Sequence, residues 1–259
     1  MNRPQTLSAT AVVVETRGAV TLAAPDYART KMIAVLERLD EPVLAARVKL
    51  TQESNHAVAE PSTAQAVVDL NGRPVRAHVA AATMQEAIDR LQDRLNARIA
   101  RVRHHRDHHR HHGTAPDAGG DGAGHGHRPQ RHTRSPEDRR IVRHRSYSPA
   151  RRTAWEAVLE LEAMDHDFHL FTDTAGGESV VHRDAAGGYR LATADPRAEQ
   201  VPGLPASALG APELTVDEAV GRLDLGGLPF VFFTDAATGR GNVLYHRYDG
   251  HYGLITPAL

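Results

Sequence analysis

Residues 168–173 read FHLFTD and residues 230–235 read FVFFTD, an echo at a spacing of 62 positions. The echo extends in both directions. Upstream, Thr153 to Val158 and Thr215 to Val220 share the pattern T-x-x-E-A-V, and Leu161 and Leu223 follow at the same offset. Downstream, after one inserted residue, Val180 matches Val243, Gly187 matches Gly250, and Tyr189, Leu191 and Thr193 match Tyr252, Leu254 and Thr256. A register kept over that length marks an internal duplication. Each copy reads as a capped helix, a strand beginning at the aromatic cluster, a Gly-containing turn and two shorter strands. A unit of about 50 residues buries too little apolar surface to stand alone, so each copy needs a partner. Alternation along the strands sends some aromatics to the local helix and the rest outward. Phe168, Phe171, Phe230, Phe232, Phe233, Tyr245 and Tyr252 are the candidates for a copy–copy interface.

The first hundred residues read as a different α+β unit. Thr10 to Thr16 is short and β-branched; Pro25 to Leu39 spaces Tyr27, Met32 or Ile33, Leu36 and Leu39 as a helix does. Val43 to Gln52 and Ala64 to Leu70 read as strands, and Asn71-Gly72 predicts a hairpin return along Arg73 to Ala81. Thr83-Met84-Gln85-Glu86 then opens a helix carrying Ile88, Leu91, Leu95, Ile99 and Val102. The predicted order is β-α-β-β-β-α.

Between these parts, residues 104–140 have no apolar periodicity. They open with HHRDHHRHH and pass through six Gly between Gly113 and Gly126. A disordered tether of this length would span roughly 30–35 Å. The expected organisation is a unit at 1–103, a His/Arg/Gly-rich linker at 104–140, a first copy at 141–193, a second linker at 194–212 and a second copy at 213–259.

Charge divides the chain in the same way. Residues 1–100 hold 12 basic and 11 acidic side chains, residues 101–152 hold 13 and 5, and residues 153–259 hold 6 and 16. The middle would meet a polyanion, whereas the acidic third is a poor nucleic-acid ligand. With no Cys in the chain, disulfides, thiolate metal sites and a cysteine nucleophile are excluded. Nine His fall in 104–132, but dense His without fixed carboxylate partners makes only a weak metal site, so no metal or cofactor is expected. No P-loop, G-x-G-x-x-G after a strand, H-E-x-x-H or G-x-S-x-G is present, and the expectation is a non-enzyme. Nothing resembles a signal peptide or spanning segment, so a cytoplasmic protein that does not enter a membrane is expected.

Arg90, Arg94, Arg98 and Arg101 lie at i, i+4, i+8 and i+11 on the second helix. Guanidinium groups in such a stripe can engage successive phosphates. The same spacing also describes a solvated face partly neutralised by Glu86, Asp89 and Asp93. Lys31, Arg38, Arg73 and Arg76, with Arg29, are further basic candidates that no regular spacing selects.

Phe230 to Asp235, Thr238-Gly239, Asn242-Val243, Tyr245, Arg247 and Asp249 to Ile255 resemble the dimerisation-domain signature of the long ribosome hibernation-promoting factors. The first copy keeps Ile141-Val142-Arg143, His166-Asp167-Phe168 and Val180-Val181, and residues 10–103 resemble the ribosome-binding domain of that family. Two C-terminal copies make the layout similar to the dormancy-associated hibernation factors of actinobacteria. The resemblance implies a partner in the small ribosomal subunit: its rRNA, and ribosomal proteins near the mRNA channel. Binding in the decoding region would exclude mRNA and tRNA. It also implies self-pairing of the C-terminal domain, which in single-copy members joins two ribosomes. Here the tether Ala194 to Pro212, about 25 Å across as a coil, gives an effective concentration on the order of millimolar. Pairing within one chain is therefore expected over pairing between chains, leaving single stabilised ribosomes. The competing readings are a conventional dimerising factor and a His-rich, metal- or stress-responsive adaptor for a protein partner.

Overall fold

The computed structural model describes residues 12–54, 58–112, 134–147, 150–184, 188–195, 200–208 and 210–258, with the side chains of 105–112 outside that description. The chain divides into two compact units, one built on residues 12–107 and the other on residues 131–161 and 166–259; the short stretch 162–165 groups with the first.

The first unit follows the predicted order. β1 (Val12–Arg17), α1 (Ala24–Leu36), β2 (Val43–Gln52), β3 (Ser62–Leu70), β4 (Arg73–Ala81) and α2 (Met84–His112) succeed one another, and the sheet order is β1-β2-β3-β4. β1 runs parallel to β2, while β2-β3 and β3-β4 are antiparallel. Asn71 and Gly72 both have positive φ, 52° and 83°, the backbone that a two-residue hairpin needs to match strand twist. Strict alternation on β3 buries Ser62, Ala64, Ala66, Val68 and Leu70. Ala28, Met32, Val35 and Leu36 of α1 and Ala87, Ile88, Leu91, Leu95 and Ile99 of α2 close over that side in one apolar cluster. Thr83 Oγ1 accepts from the Glu86 backbone N–H at 3.2 Å, which starts α2 where the sequence places it. The helix does not stop at residue 103. Its backbone continues through the HHRDHHRHH stretch to His112, because a helix already nucleated by packing adds residues cheaply. The rest of the expected tether, 113–133, lies outside the described residues.

The second unit contains both copies, each in the predicted helix–strand–strand–strand order. The first has α3 (Ala154–Ala163), β6 (Phe168–Thr172), β7 (Glu178–Arg183) and β8 (Tyr189–Thr193). The second has α4 (Val216–Gly226), β10 (Phe230–Asp235), β11 (Gly241–His246) and β12 (Tyr252–Pro257), preceded by the two-residue β9 (Glu213–Leu214). The strand before each copy crosses over. β5 (Ile141–Tyr147) is contiguous in sequence with the first copy, yet it lies parallel to β12 of the second, giving the order β5-β12-β11-β10-β9. In return Ala206, which precedes the second copy, bridges Leu191 of β8 in parallel; Leu191 N–H donates to the Pro205 carbonyl and Ser207 N–H to the Leu191 carbonyl. The shorter bridges obey the duplication as well, since Arg151 pairs with Thr172 as Glu213 pairs with Thr234. Each copy thus lends its leading segment to the sheet of the other. Part of the expected coil tether 194–212 is therefore structural: Leu204 is buried in the first copy's core, and Trp155 Nε1 donates to the Pro202 carbonyl.

Among the described residues of this unit three apolar clusters result. Ala157, Val158, Leu161, Phe171 and Val181 form the core under α3; Ala219, Leu223, Val231, Phe233, Leu244, Tyr252 and Leu254 form the core under α4. The third joins the opposite sheet faces: Leu170, Val180, Ala192, Phe230, Phe232 and Val243, with Phe168, Tyr147, Tyr245 and Ile255 beside them. Of the seven predicted interface aromatics, Phe168, Phe230, Phe232 and Tyr245 belong to this shared cluster. Phe171, Phe233 and Tyr252 do not. Strand alternation turns them onto the helix side, where they fill the separate cores.

Candidate nucleic-acid interface

α2 holds the predicted arginine stripe, and the structure supplies its acceptors. Arg90 donates to Glu60 at 3.0 Å, to the Ala80 carbonyl at 2.8 Å and to Glu86 at 2.6 Å. Arg94 meets Asp165 with both ends of its fork, at 2.9 Å each. Arg98, buried, donates to the Glu162 carboxylate at 2.8 Å and carbonyl at 3.0 Å and also pairs with Asp165; Arg101 reaches Glu162 at 3.4 Å. The stripe is real as geometry, but its guanidiniums are occupied by carboxylates. These are exchangeable partners of the same chemical kind as a phosphate oxygen.

The other predicted cations separate into two groups. Lys31 sits 2.8 Å from Asp89 and 5.2 Å from the Tyr27 ring centroid, and Tyr27 Oη donates to the same carboxylate at 2.7 Å. Asp89 is held below its ordinary carboxylate value chiefly by the Lys31 hydrogen bond, and Lys31 is raised in return by Asp89. Arg29 is taken by Asp26 at 2.6 Å. Arg38 and Arg73 are exposed and carry no side-chain bond to a described residue. Arg76 lies on the sheet face away from the helices and donates to Gln65 at 3.2 Å.

That open face carries cations the sequence reading passed over. Register aligns Val13, Arg47, Val67 and Arg76 across the four strands, and Glu15, Lys49, Gln65 and His78 in the adjacent row. Arg47 and Lys49 are exposed, Arg47 standing 3.6 Å from Glu15. The signal available in sequence is the alternation A-R-V-K-L of β2, which buries Ala46, Val48 and Leu50 and turns both cations to the other side. Among the described residues no three His, Asp or Glu side chains gather as a metal site, while the nine His of 104–132 lie, His104 apart, outside the described side chains. Among the same residues no helix is long and apolar enough to cross a membrane.

The layout has two parts: an α+β unit with an arginine stripe on α2 and Arg47 and Lys49 on its open sheet face, followed by a duplicated unit whose copies share strands. The chain belongs to the sigma 54 modulation and S30EA ribosomal protein family, as a long member of its ribosome hibernation-promoting group. The family model for the sigma 54 modulation protein / S30EA ribosomal protein matches residues 12–107, and the model for the C terminus of that family matches twice, at 136–191 and 208–254. The dormancy associated translation inhibitor of Mycobacterium tuberculosis is 42% identical over 142 residues, covering 50% of this chain and 52% of that protein. The ribosome hibernation promotion factor of Deinococcus radiodurans is 28% identical over 176 residues, 64% of this chain and 88% of that one. The chain therefore spans about half the length of the mycobacterial relative it matches. The crystal structure of the Thermus thermophilus Protein Y N-terminal domain is 27% identical, covers 35% of this chain and 96% of its own, and superposes with a TM-score of 0.29.

Proposed function

We propose that this chain is a cytoplasmic ribosome hibernation factor that acts by binding rather than catalysis. Its first unit occupies the decoding region of the small subunit, against rRNA and the ribosomal proteins near the mRNA channel, and excludes mRNA and tRNA. The names of the relatives support the ribosome as target. Arg90 and Arg94, with exposed Arg38 and Arg73, are the residues assigned to rRNA phosphates, which replace the carboxylates now paired with α2. Ribosome co-sedimentation at low and high salt tests this. Arg90→Gln/Arg94→Gln and, separately, Arg38→Gln/Arg73→Gln should weaken binding and flatten its salt dependence. Unchanged binding by both variants removes the assignment.

We further propose that the two copies remain paired within one chain and that the factor stabilises single ribosomes. The observation that carries this reading is the shared cluster around Phe168, Phe230 and Phe232, which already covers the outer sheet faces of both copies. Light scattering on the full chain and sucrose gradients of ribosomes with the protein decide it. A monomer and a single-ribosome peak are expected; a stable dimer with a paired-ribosome peak overturns the reading.

A further inference from the structure

β5 is an edge strand with an unusual surface. Among the described residues its outer side has no ladder partner, and five consecutive residues, Val142 to Ser146, are exposed. Three of them are Arg143, His144 and Arg145, and Arg140 is exposed just before the strand. The arginines around them are used in the fold. Arg134 donates to the Asp249 carbonyl at 2.9 Å, Arg139 to Asp224 at 2.7 Å and Arg151 to the Thr174 carbonyl at 3.0 Å, while Arg152 pairs with Glu160. Arg140, Arg143 and Arg145 make no side-chain bond or ion pair to a described residue. This occurs on a body rich in carboxylates, since residues 153–259 hold 16 acidic side chains against 6 basic ones. Cations left without a carboxylate in such surroundings are available to an external anion.

We infer that the β5 edge is a second polyanion site, which takes the phosphate backbone of an RNA strand. The inference rests on the ribosome reading for its biological setting but not for its test. Arg143 and Arg145 stand opposite Gly253 and Ile255, so they share one sheet face. Residues two apart on a strand are about 6.8 Å apart, a spacing at which two planar forks can each grip a neighbouring phosphate. Arg140 extends the row toward the basic segment that precedes it in the chain. A charge on an edge strand also blocks pairing with a second sheet, but one or two cations suffice for that role, and it predicts no affinity for RNA.

The test uses the full chain and two probes, a fluorescent single-stranded oligouridine 20-mer and intact ribosomes, each titrated across salt. Arg140→Gln/Arg143→Gln/Arg145→Gln is compared with wild type and with Arg222→Gln, an exposed arginine on α4. Retained thermal unfolding shows that the variants fold. At about 0.7 counterions per single-strand phosphate contact, the slope of log K against log salt should fall by about 2 for the triple variant, with RNA affinity down roughly tenfold. Arg222→Gln should change neither. An unchanged oligouridine slope overturns the site. So does an equal effect of Arg222→Gln, which means diffuse charge, or loss of ribosome binding with oligouridine binding intact, which means a protein partner at the edge. If wild type binds oligouridine but not ribosomes, the ribosome reading fails and the β5 site stands on the oligouridine result alone.

Discussion

The rings of Phe168 and Phe230 lie 4.7 Å apart, centroid to centroid, and the two residues occupy the same position in their respective copies. The duplication therefore meets itself at a pseudo-two-fold axis. Around that axis the contacts repeat with different side chains: Phe168 packs on Tyr245 at 5.5 Å, and Phe230 packs on His182, the position that corresponds to Tyr245, at 5.4 Å. The pairing is symmetric in backbone and unsymmetric in chemistry.

Removing the axial ring should loosen both copies together. Phe230→Ala, at a site only 2% exposed, is expected to cost about 3–5 kcal/mol. Phe168→Ala, less buried, should cost less. In a double-mutant cycle on the full chain the pair should show a coupling of about 0.5–1.5 kcal/mol, read from denaturant midpoints. Strictly additive losses would mean that the two rings only fill separate spaces.

Gly241 is fixed by its neighbour from the other copy. A Cβ placed there would lie 2.5 Å from Glu178 Cβ and 3.1 Å from the Phe232 ring, while Arg240 beside it pairs with Glu178. Gly241→Ala should destabilise the second unit by about 1–3 kcal/mol, and Glu178→Gly in the same chain should recover part of that loss. Thermal unfolding of the single and double variants checks this. Without any rescue, the close approach is not what constrains residue 241.

Acid should weaken the paired copies. His182 is buried with its ring nitrogens at the Arg183 carbonyl, 3.0 Å, and Ser207 Oγ, 2.8 Å. Burial pushes its proton affinity below the ordinary value, and the Arg183 carbonyl offsets this only partly. His169 is lowered by burial too. The unfolded imidazoles titrate near 6.5, so between that value and the lower native one the unfolded chain binds more protons. The stabilisation is complete above about pH 6.5 and is lost as pH falls through that window. The urea midpoint should drop from pH 7.5 to pH 5.5, with a smaller drop in His182→Gln. An identical drop in wild type and variant would remove His182 from the account.

Asp224 ties the segment before β5 to the second copy. Its carboxylate accepts from Arg139 at 2.7 Å and from Tyr252 Oη at 2.6 Å. Asp224→Asn should cost about 1.5–3 kcal/mol, the scale of a hydrogen bond to a charged group. Hydrogen exchange should localise the loosening to β5 and β12. Protection unchanged in both strands would show that backbone pairing alone holds the exchanged strand.

Much of this architecture was legible in the sequence. The offset between FHLFTD and FVFFTD announced two copies, and Asn71-Gly72 announced the hairpin, because both are local signals. Strand exchange was not legible. The run I-V-R-H-R-S-Y is as compatible with one sheet edge as with the other, and V-P-G-L-P-A-S hides the buried Leu204 in a stretch with no alternation. Alternation showed that the aromatics divide between two faces without showing which parity faces the helix, so Phe171, Phe233 and Tyr252 fell on the wrong side. Helical spacing likewise placed Arg90, Arg94, Arg98 and Arg101 on one stripe, yet their acceptors Glu60, Glu162 and Asp165 are distant in sequence and carry no periodic mark.

The exchanged strands also impose an order in time. As the chain is synthesised, Ile141–Tyr147 emerges long before its partner Tyr252–Pro257 has been made, and β8 waits with an open edge for Ala206. Pairing across such sequence separation is slow, and domains otherwise tend to fold as they emerge. No shorter nascent length can present a finished module. The C-terminal unit is complete only once β12 has been made and can take β5 into its sheet.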